Sequence, residues 1–238
     1  QMCIRDSVCT DHLKHVSFDL HKGEIFGLCG LSDSGIREVG QAAYGLLPVD
    51  SGEVSLPTHN VSIGNPYQAL QNRVAYVPKD RDGEALMMGA SIQNNFCLPS
   101  VETLKGRFGF LSPKKLYQAS SKAREQFSVK STGVDQLMRA LSGGNKQKVN
   151  LGRWLIKDLD VLIVDCPTRG VDIGVKAYIY QCLREAKEKG MAILLITDEL
   201  SEVLGMADTI AVMKDGEICK LLPRSAELSE ETIIEVMT

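Results

Sequence analysis

The stretch Leu141-Ser142-Gly143-Gly144-Asn145-Lys146-Gln147-Lys148 has the residue types of an anion site. A polar turn with two adjacent glycines runs directly into a helix-forming sequence. Paired glycines let a backbone approach a ligand closely. The helix behind them offers first-turn N–H groups with no intrahelical acceptor, at the positive end of its dipole. That combination suits the terminal phosphate of a nucleotide. The plain alternative is a Gly-Gly loop between two helices. Further along, Val161-Leu162-Ile163-Val164-Asp165 reads as a buried strand ending in a carboxylate.

A second glycine-framed loop, Gly30-Leu31-Ser32-Asp33-Ser34-Gly35, follows an apolar strand and precedes a helix. The glycine spacing is that of a phosphate-binding loop, which continues with Lys and then Ser or Thr. Here Ile36 and Arg37 take those places. An aliphatic side chain cannot neutralise phosphate oxygens, and a guanidinium is a poor magnesium ligand. Asp33 adds a negative charge inside the loop. Arg37 can still reach a phosphate from a shifted position, since its fork suits that geometry. Two readings stay open: a structural turn, or nucleotide binding that is weak or poor in magnesium. On the second, the contacts are Gly30, Ser32, Ser34, Gly35, Ile36 and Arg37, with Asp165 a weak Mg²⁺ ligand.

The elements that must position these residues follow from pattern. Val16 to Leu20 alternates like a half-buried strand, and Glu24 to Cys29 is apolar throughout. A helix is predicted from Ile36 to about Gly45, and strands over Glu53–Leu56 and Val74–Val77. Residues 57–72 read as polar loop. From about Ser91 to Ala140 short helices are expected, among them Pro113 to Phe127. Strand signals return over 161–165 and 191–197, with helical spacing from Val175 to Ala186 between them. Strands alternating with helices imply a mainly parallel sheet packed by helices. Lys214-Asp215-Gly216-Glu217 reads as a hairpin turn, and Ser229 to Met237 as a helix.

Composition narrows the function classes. The chain of 238 residues is long enough for one α/β domain with a subdomain. A net charge of −3 gives no electrostatic case for nucleic acid. No apolar run approaches the roughly 18 residues of a membrane span, so any membrane role passes through a partner. The seven cysteines form no CxxC pair. Cys29, Cys166 and Cys182 fall in apolar surroundings, which predicts reduced, buried thiols and a cytoplasmic setting. No signal-peptide pattern is read. Residues 1–7 lack the alternation of a first strand and are expected to be artefactual or disordered, leaving a domain over 8–238.

The glycine-paired stretch and its strand–Asp partner closely resemble the signature loop and magnesium-associated Asp of the ATP-binding-cassette (ABC) ATPases, in particular the sugar- and nucleoside-importer branch. The resemblance covers about Leu13 to Ile218. It implies an α/β P-loop NTPase fold: a mainly parallel core with antiparallel strands, and a helical subdomain over about 91–140. It also implies an opening strand with an adenine-stacking aromatic; neither is evident, so the chain looks truncated at its N-terminus. Four positions depart from the family. Ile36 stands for the phosphate-binding Lys and Cys166 for the Glu that polarises water. Lys79 stands for the Gln that senses Mg²⁺ and couples to a permease, and Asp198 for the switch His. All four histidines lie in the first sixty residues, so none fills that last role.

Loss of base and charge clamp costs orders of magnitude each, so hydrolysis at this chain's own site is not expected. The signature residues Leu141, Ser142, Gly143, Gly144 and Asn145 are intact, as is the partner-facing Asp172. ABC domains pair head to tail, each ATP lying between one phosphate loop and the other's signature. The resemblance therefore implies the C-terminal half of an importer's ATP-binding subunit, with ATP and Mg²⁺ held mainly at a site shared with a partner ABC domain, expected to be the N-terminal half of the same polypeptide. It also implies a transmembrane permease, a solute-binding protein acting indirectly, and a peripheral place at the cytoplasmic membrane face. The other class of function is a non-catalytic scaffold that only docks the permease. Lys79-Asp80-Arg81-Asp82 is either part of that docking groove or a solvated loop.

Overall fold

The structure is a computed structural model describing residues 2–10, 13–31, 33–225 and 228–237, with the backbone alone over 5–10. Two compact units emerge. One comprises Gln1–Tyr76, Leu159–Cys166 and Tyr180–Thr238; the other comprises Val77–Asp158 and Pro167–Ile179.

In chain order the elements begin with strands β1 (Met2–Thr10), β2 (Leu13–Leu20) and β3 (Ile25–Gly30) and helix α1 (Ile36–Ala43). Strands β4 (Ser51–Leu56) and β5 (Val61–Ser62), helix α2 (Pro66–Gln71) and strand β6 (Val74–Val77) follow. Next come helices α3 (Ile92–Cys97), α4 (Val101–Leu104), α5 (Pro113–Gln126) and α6 (Gly143–Leu155). The chain then runs through β7 (Val161–Asp165), α7 (Ile173–Glu188), β8 (Ala192–Thr197) and α8 (Leu200–Met206). It closes with β9 (Thr209–Lys214), β10 (Glu217–Pro223) and α9 (Glu230–Met237).

Six strands form one sheet in the order β10-β9-β3-β8-β7-β6. β3 lies parallel to β8 and β9, β7 parallel to β8, and β10 closes an antiparallel edge. Every residue of β3, β7 and β8 is buried, as parallel strands covered on both faces must be. The register sets Cys29 beside Thr197 and Asp165 beside Ile196, so the chemistry-bearing residues gather at the carboxyl ends of the strands. Helix α8 seats against β3 at Gly27, where a Cβ would fall 2.2 Å from Val203 Cγ2.

A second, antiparallel sheet runs β2-β1-β4-β5. The segment set aside in the sequence, residues 1–7, overlaps β1. β1 is an inner strand, with Ile4 paired to Phe18 on one side and Val54 on the other. Met2, Cys3 and Ile4 are all buried in succession, and the register shifts between Ile4 and Val8. An irregular strand without period-two patterning gives no alternation to read. The polar segment 57–72 also holds more order than expected. Asn65 caps α2 by accepting from the Gln68 amide at 2.9 Å, with Pro66 at the first helical position.

The second unit has its own core. Phe96 is fully buried and stacks on Phe127 with centroids 6.4 Å apart. Gly152 of α6 packs on that ring, where a Cβ would come within 2.7 Å of Phe127 Cδ2. This unit extends beyond the helical segment expected over 91–140. α6 and the segment from Val77 belong to the same unit.

If β1 is integral, truncating Ile4 to Ala should lower unfolding free energy by about 2–5 kcal/mol. Equilibrium denaturation of the chain measures this; a midpoint unchanged from the parent would return residues 1–7 to the status of an appendage.

Candidate functional site

In the first unit the site is built where β3 passes through its loop into α1. Gly35, at φ 90°, precedes the helix in the left-handed region that glycine adopts without penalty. Gly30 is required for a different reason: a Cβ there would sit 2.2 Å from Ser34 Oγ. The Ser34 hydroxyl is buried and donates to the Leu31 carbonyl at 2.6 Å. Ile36 points into the hydrophobic core beside Val39 and Ile196 rather than into the loop. Ser32 lies outside the described residues.

Arg37 is the side chain that turns toward the chemistry. Its Nε lies 3.4 Å from Asp165 Oδ2. Asp165 ends β7 with only 1% of its side chain exposed. The Tyr76 hydroxyl, on β6, donates to the same carboxylate oxygen at 3.2 Å. Burial pushes the Tyr76 phenol well above its ordinary range; the Asp165 charge adds to this and the Arg37 charge opposes it. Tyr76 therefore stays a protonated donor at every ordinary pH. Arg37, Tyr76 and Asp165 form one polar cluster between loop and sheet. Sequence reasoning missed Tyr76, because a tyrosine in an apolar strand reads as core.

Beyond Asp165, Cys166 takes a left-handed backbone conformation with φ 46°, and its amide donates to the Ile196 carbonyl at 2.8 Å. Its thiol is buried and lies 3.8 Å from Asp198 Oδ1. The structure thus brings together the two residues expected at the base and switch positions. A buried thiol is no substitute for a carboxylate base.

The second unit carries the signature residues. Ser142 is the N-cap of α6. Its Oγ accepts from the Asn145 amide at 3.4 Å and from Asn145 Nδ2 at 2.9 Å. Asn145 Oδ1 in turn accepts from the Lys130 amide at 2.8 Å. Gly144 must be glycine, since a Cβ would lie 2.7 Å from Val175 Cγ2. Leu141 is buried and anchors the turn by packing. Asp172 Oδ1 accepts from the Val175 amide at 3.0 Å.

A cleft of about 370 Å³ joins Ser142, Gly144 and Asn145 to Asp172 and Gly174, with Lys130 and Lys148 on its walls. Ser142, Gly144 and Asn145 therefore share one depression with Asp172, distant from them in sequence. Its lysines were not singled out from the sequence. Lys148 is steadied by the Tyr178 ring, 4.5 Å from its Nζ, and by the Ser128 carbonyl at 3.1 Å. A helix N-terminus with two cations beside it attracts anions.

The 79–82 segment is more than a solvated loop. Asp82 Oδ2 pairs with Lys146 Nζ at 2.9 Å, and Arg81 donates to the Arg169 carbonyl at 2.9 Å. Asp80 caps the turn that follows by accepting from the Asp82 and Gly83 amides. With Arg169 and Gly170, residues 79–82 line a cleft of about 440 Å³. Lys79 is half-buried at its edge.

The sequence profile of the ABC transporter family matches residues 13–169. The ribose import ATP-binding protein RbsA of Lactococcus lactis subsp. lactis is 37% identical over 98% of this chain and 47% of its own length. A putative ribose/galactose/methyl galactoside import ATP-binding protein of Agrobacterium fabrum is 40% identical over 94% of this chain and 44% of its own. The chain spans less than half the length of these curated relatives. Among solved structures, a nucleotide-free ATP-binding cassette from an ABC transporter superposes with TM-score 0.82, at 21% identity, over 100% of this chain and 98% of that one. A bacterial ABC transporter cassette solved as a dimer gives 0.81 at 19% identity, over 95% and 100%. These bear out the expected fold. Among the described residues no helix is long and apolar enough to cross a membrane.

Thiol labelling reports on these environments. Burial pushes the Cys29 thiol up to about 12 and raises that of Cys97, whereas Cys219 is exposed. Cys182, expected to be buried, is only half-buried. Alkylation of the native chain near pH 8, read by peptide mass mapping, should modify Cys219 first and spare Cys29, Cys97 and Cys166. Early modification of Cys166 would show its pocket to be open.

Proposed function

The chain belongs to the ABC transporter family, and we propose that it is the C-terminal ATP-binding half of an importer subunit for a simple sugar or nucleoside. Its turnover occurs at a site completed by a partner ABC domain. The observation that carries this reading is the cleft at the start of α6, where Ser142, Gly144, Asn145 and Asp172 converge beside two lysines. The relatives named as ribose or galactose import ATP-binding proteins support the solute class. Their doubled length supports a partner domain in the same polypeptide, and their import role supports a permease at the cytoplasmic membrane face.

On this reading the two halves of the machinery have diverged. The chain's own phosphate loop has Ile36 buried in the core and Arg37 turned onto Asp165. No carboxylate stands at Cys166 to polarise water. At the partner's site, by contrast, Ser142 and the first-turn amides of α6 supply preorganised donors to a γ-phosphate. Such donors stabilise developing charge without reorganisation. ATP with Mg²⁺ is bound chiefly there. On the same reading Lys79, which lines the 79–82 cleft, contacts the permease.

Ser142→Asp is the informative variant in the two-domain protein with its permease. Aspartate is as good an N-cap as serine, so α6 stays folded, but its charge opposes phosphate. ATPase and transport should fall by about 100-fold. Unchanged rates would sink the shared-site reading and leave a domain that only docks the permease.

The isolated chain should show no measurable ATPase, and Cys166→Glu alone should not restore it, because Ile36, Arg37 and Asp198 remain. Turnover comparable to an intact ABC domain in either protein would overturn the account of this loop.

A further inference from the structure

P-loop ATPases place Mg²⁺ between the nucleotide, a hydroxyl on the helix after the loop and a strand-end Asp. This chain's residues do not fit that ion. Magnesium demands near-octahedral oxygen ligands at about 2.0–2.1 Å. The hydroxyl position is Arg37, which has no acceptor to give a metal. Its guanidinium already stands 3.4 Å from the strand-end carboxylate of Asp165. A second group on that carboxylate, the Tyr76 hydroxyl, is a donor held in its protonated form.

We infer that Arg37 occupies the metal's place at Asp165, so that the chain's own phosphate loop takes a nucleotide polyphosphate without a divalent cation. The charge argument is direct. A carboxylate 99% removed from solvent needs a countercharge. A divalent ion entering beside Arg37 would put three positive charges around one buried negative charge. The Arg37 side chain pairs with Asp165 while about one-third of its surface stays exposed. A guanidinium can serve both carboxylate and phosphate, since its five donors are arrayed as a fork. The tethered cation carries one charge where the metal carries two, and it brings no bound water. It can hold a polyphosphate but cannot order or acidify a nucleophile.

This inference rests on the reading of the chain as a nucleotide-binding domain, but its test does not involve the signature cleft. Binding of a fluorescent ATP analogue to the chain is titrated in excess Mg²⁺ and in excess EDTA, and Mn²⁺ bound to the chain with ATP is followed by electron paramagnetic resonance. The wild-type chain should bind the analogue with affinities within about threefold in the two buffers, and should bind no Mn²⁺ beyond what ATP holds in solution. Arg37→Thr restores the hydroxyl and frees Asp165; its affinity should become at least about tenfold stronger with Mg²⁺ than without. Arg37→Lys keeps a single tethered charge and should behave like the parent, which also guards against a misfolded threonine variant. Wild-type binding strengthened tenfold by Mg²⁺, or a protein-bound Mn²⁺ signal in the wild type, would overturn the inference. So would a wild-type chain that binds no nucleotide in either buffer, a result that leaves the Ser142 experiment and the shared-site reading standing.

Discussion

A carboxylate buried at the end of a central parallel strand is the constraint on which the first unit turns. Asp165 follows four apolar residues and has almost no contact with solvent. Its charge cannot stay there alone: breaking a buried pair commonly costs about 3–5 kcal/mol. A protein with this fold can meet the demand with a bound cation or with a side chain. Here Arg37 and the protonated Tyr76 meet it from within. The countercharge is then covalently attached, and the described residues beside it are tied to the fold. Ser34 bonds to Leu31, and Ile36 joins the core.

The second unit distributes its donors in the opposite way. Helix α6 is fixed along its length by bonds to neighbouring backbone. Gln147 Nε2 donates to the Pro167 carbonyl at 2.6 Å, Arg153 donates to the Ala85 carbonyl at 2.7 Å, and Lys146 holds Asp82. These anchors grip the helix beyond its first turn. At the N-terminus the only side-chain cap is Ser142, and the two glycines add no bulk. The result is a rigid helix whose first turn faces a cleft with lysines beside it. Preorganised donors of this kind bind developing charge best when they cannot relax away from it.

How much of this was legible in the sequence depended on periodicity and on locality. β7 and β8 announced themselves as unbroken apolar runs, and the long helices α5 and α7 by apolar residues recurring at helical spacing. The signature cap was legible because it is local: Ser142, the glycines and Asn145 are adjacent. β1 was not, because its register breaks after Ile4 and its buried residues come in succession. Helix α2 was signalled only by Asn65-Pro66 in a polar stretch. Long-range pairs left no local trace. Nothing near position 37 says that its guanidinium will meet a carboxylate 128 residues later, and nothing near Tyr76 marks it as a donor. The sequence could say that Arg37 was a poor magnesium ligand. Only the packing of loop against strand shows what it binds instead.

That contact also orders Cys166, Asp198, Lys79 and Arg37 by consequence. Cys166 and Asp198 meet each other at the strand ends, so these two positions form one corner rather than two independent ones. Lys79 lies in the other unit, where the segment it begins is tied to α6 through Asp82 and Lys146. Arg37 differs from all three because it adds a charge where the others remove or displace a function. A lost base leaves a site that still favours the metal nucleotide. A tethered cation at Asp165 changes which ligand the site favours, and it does so by occupying the carboxylate that the metal requires.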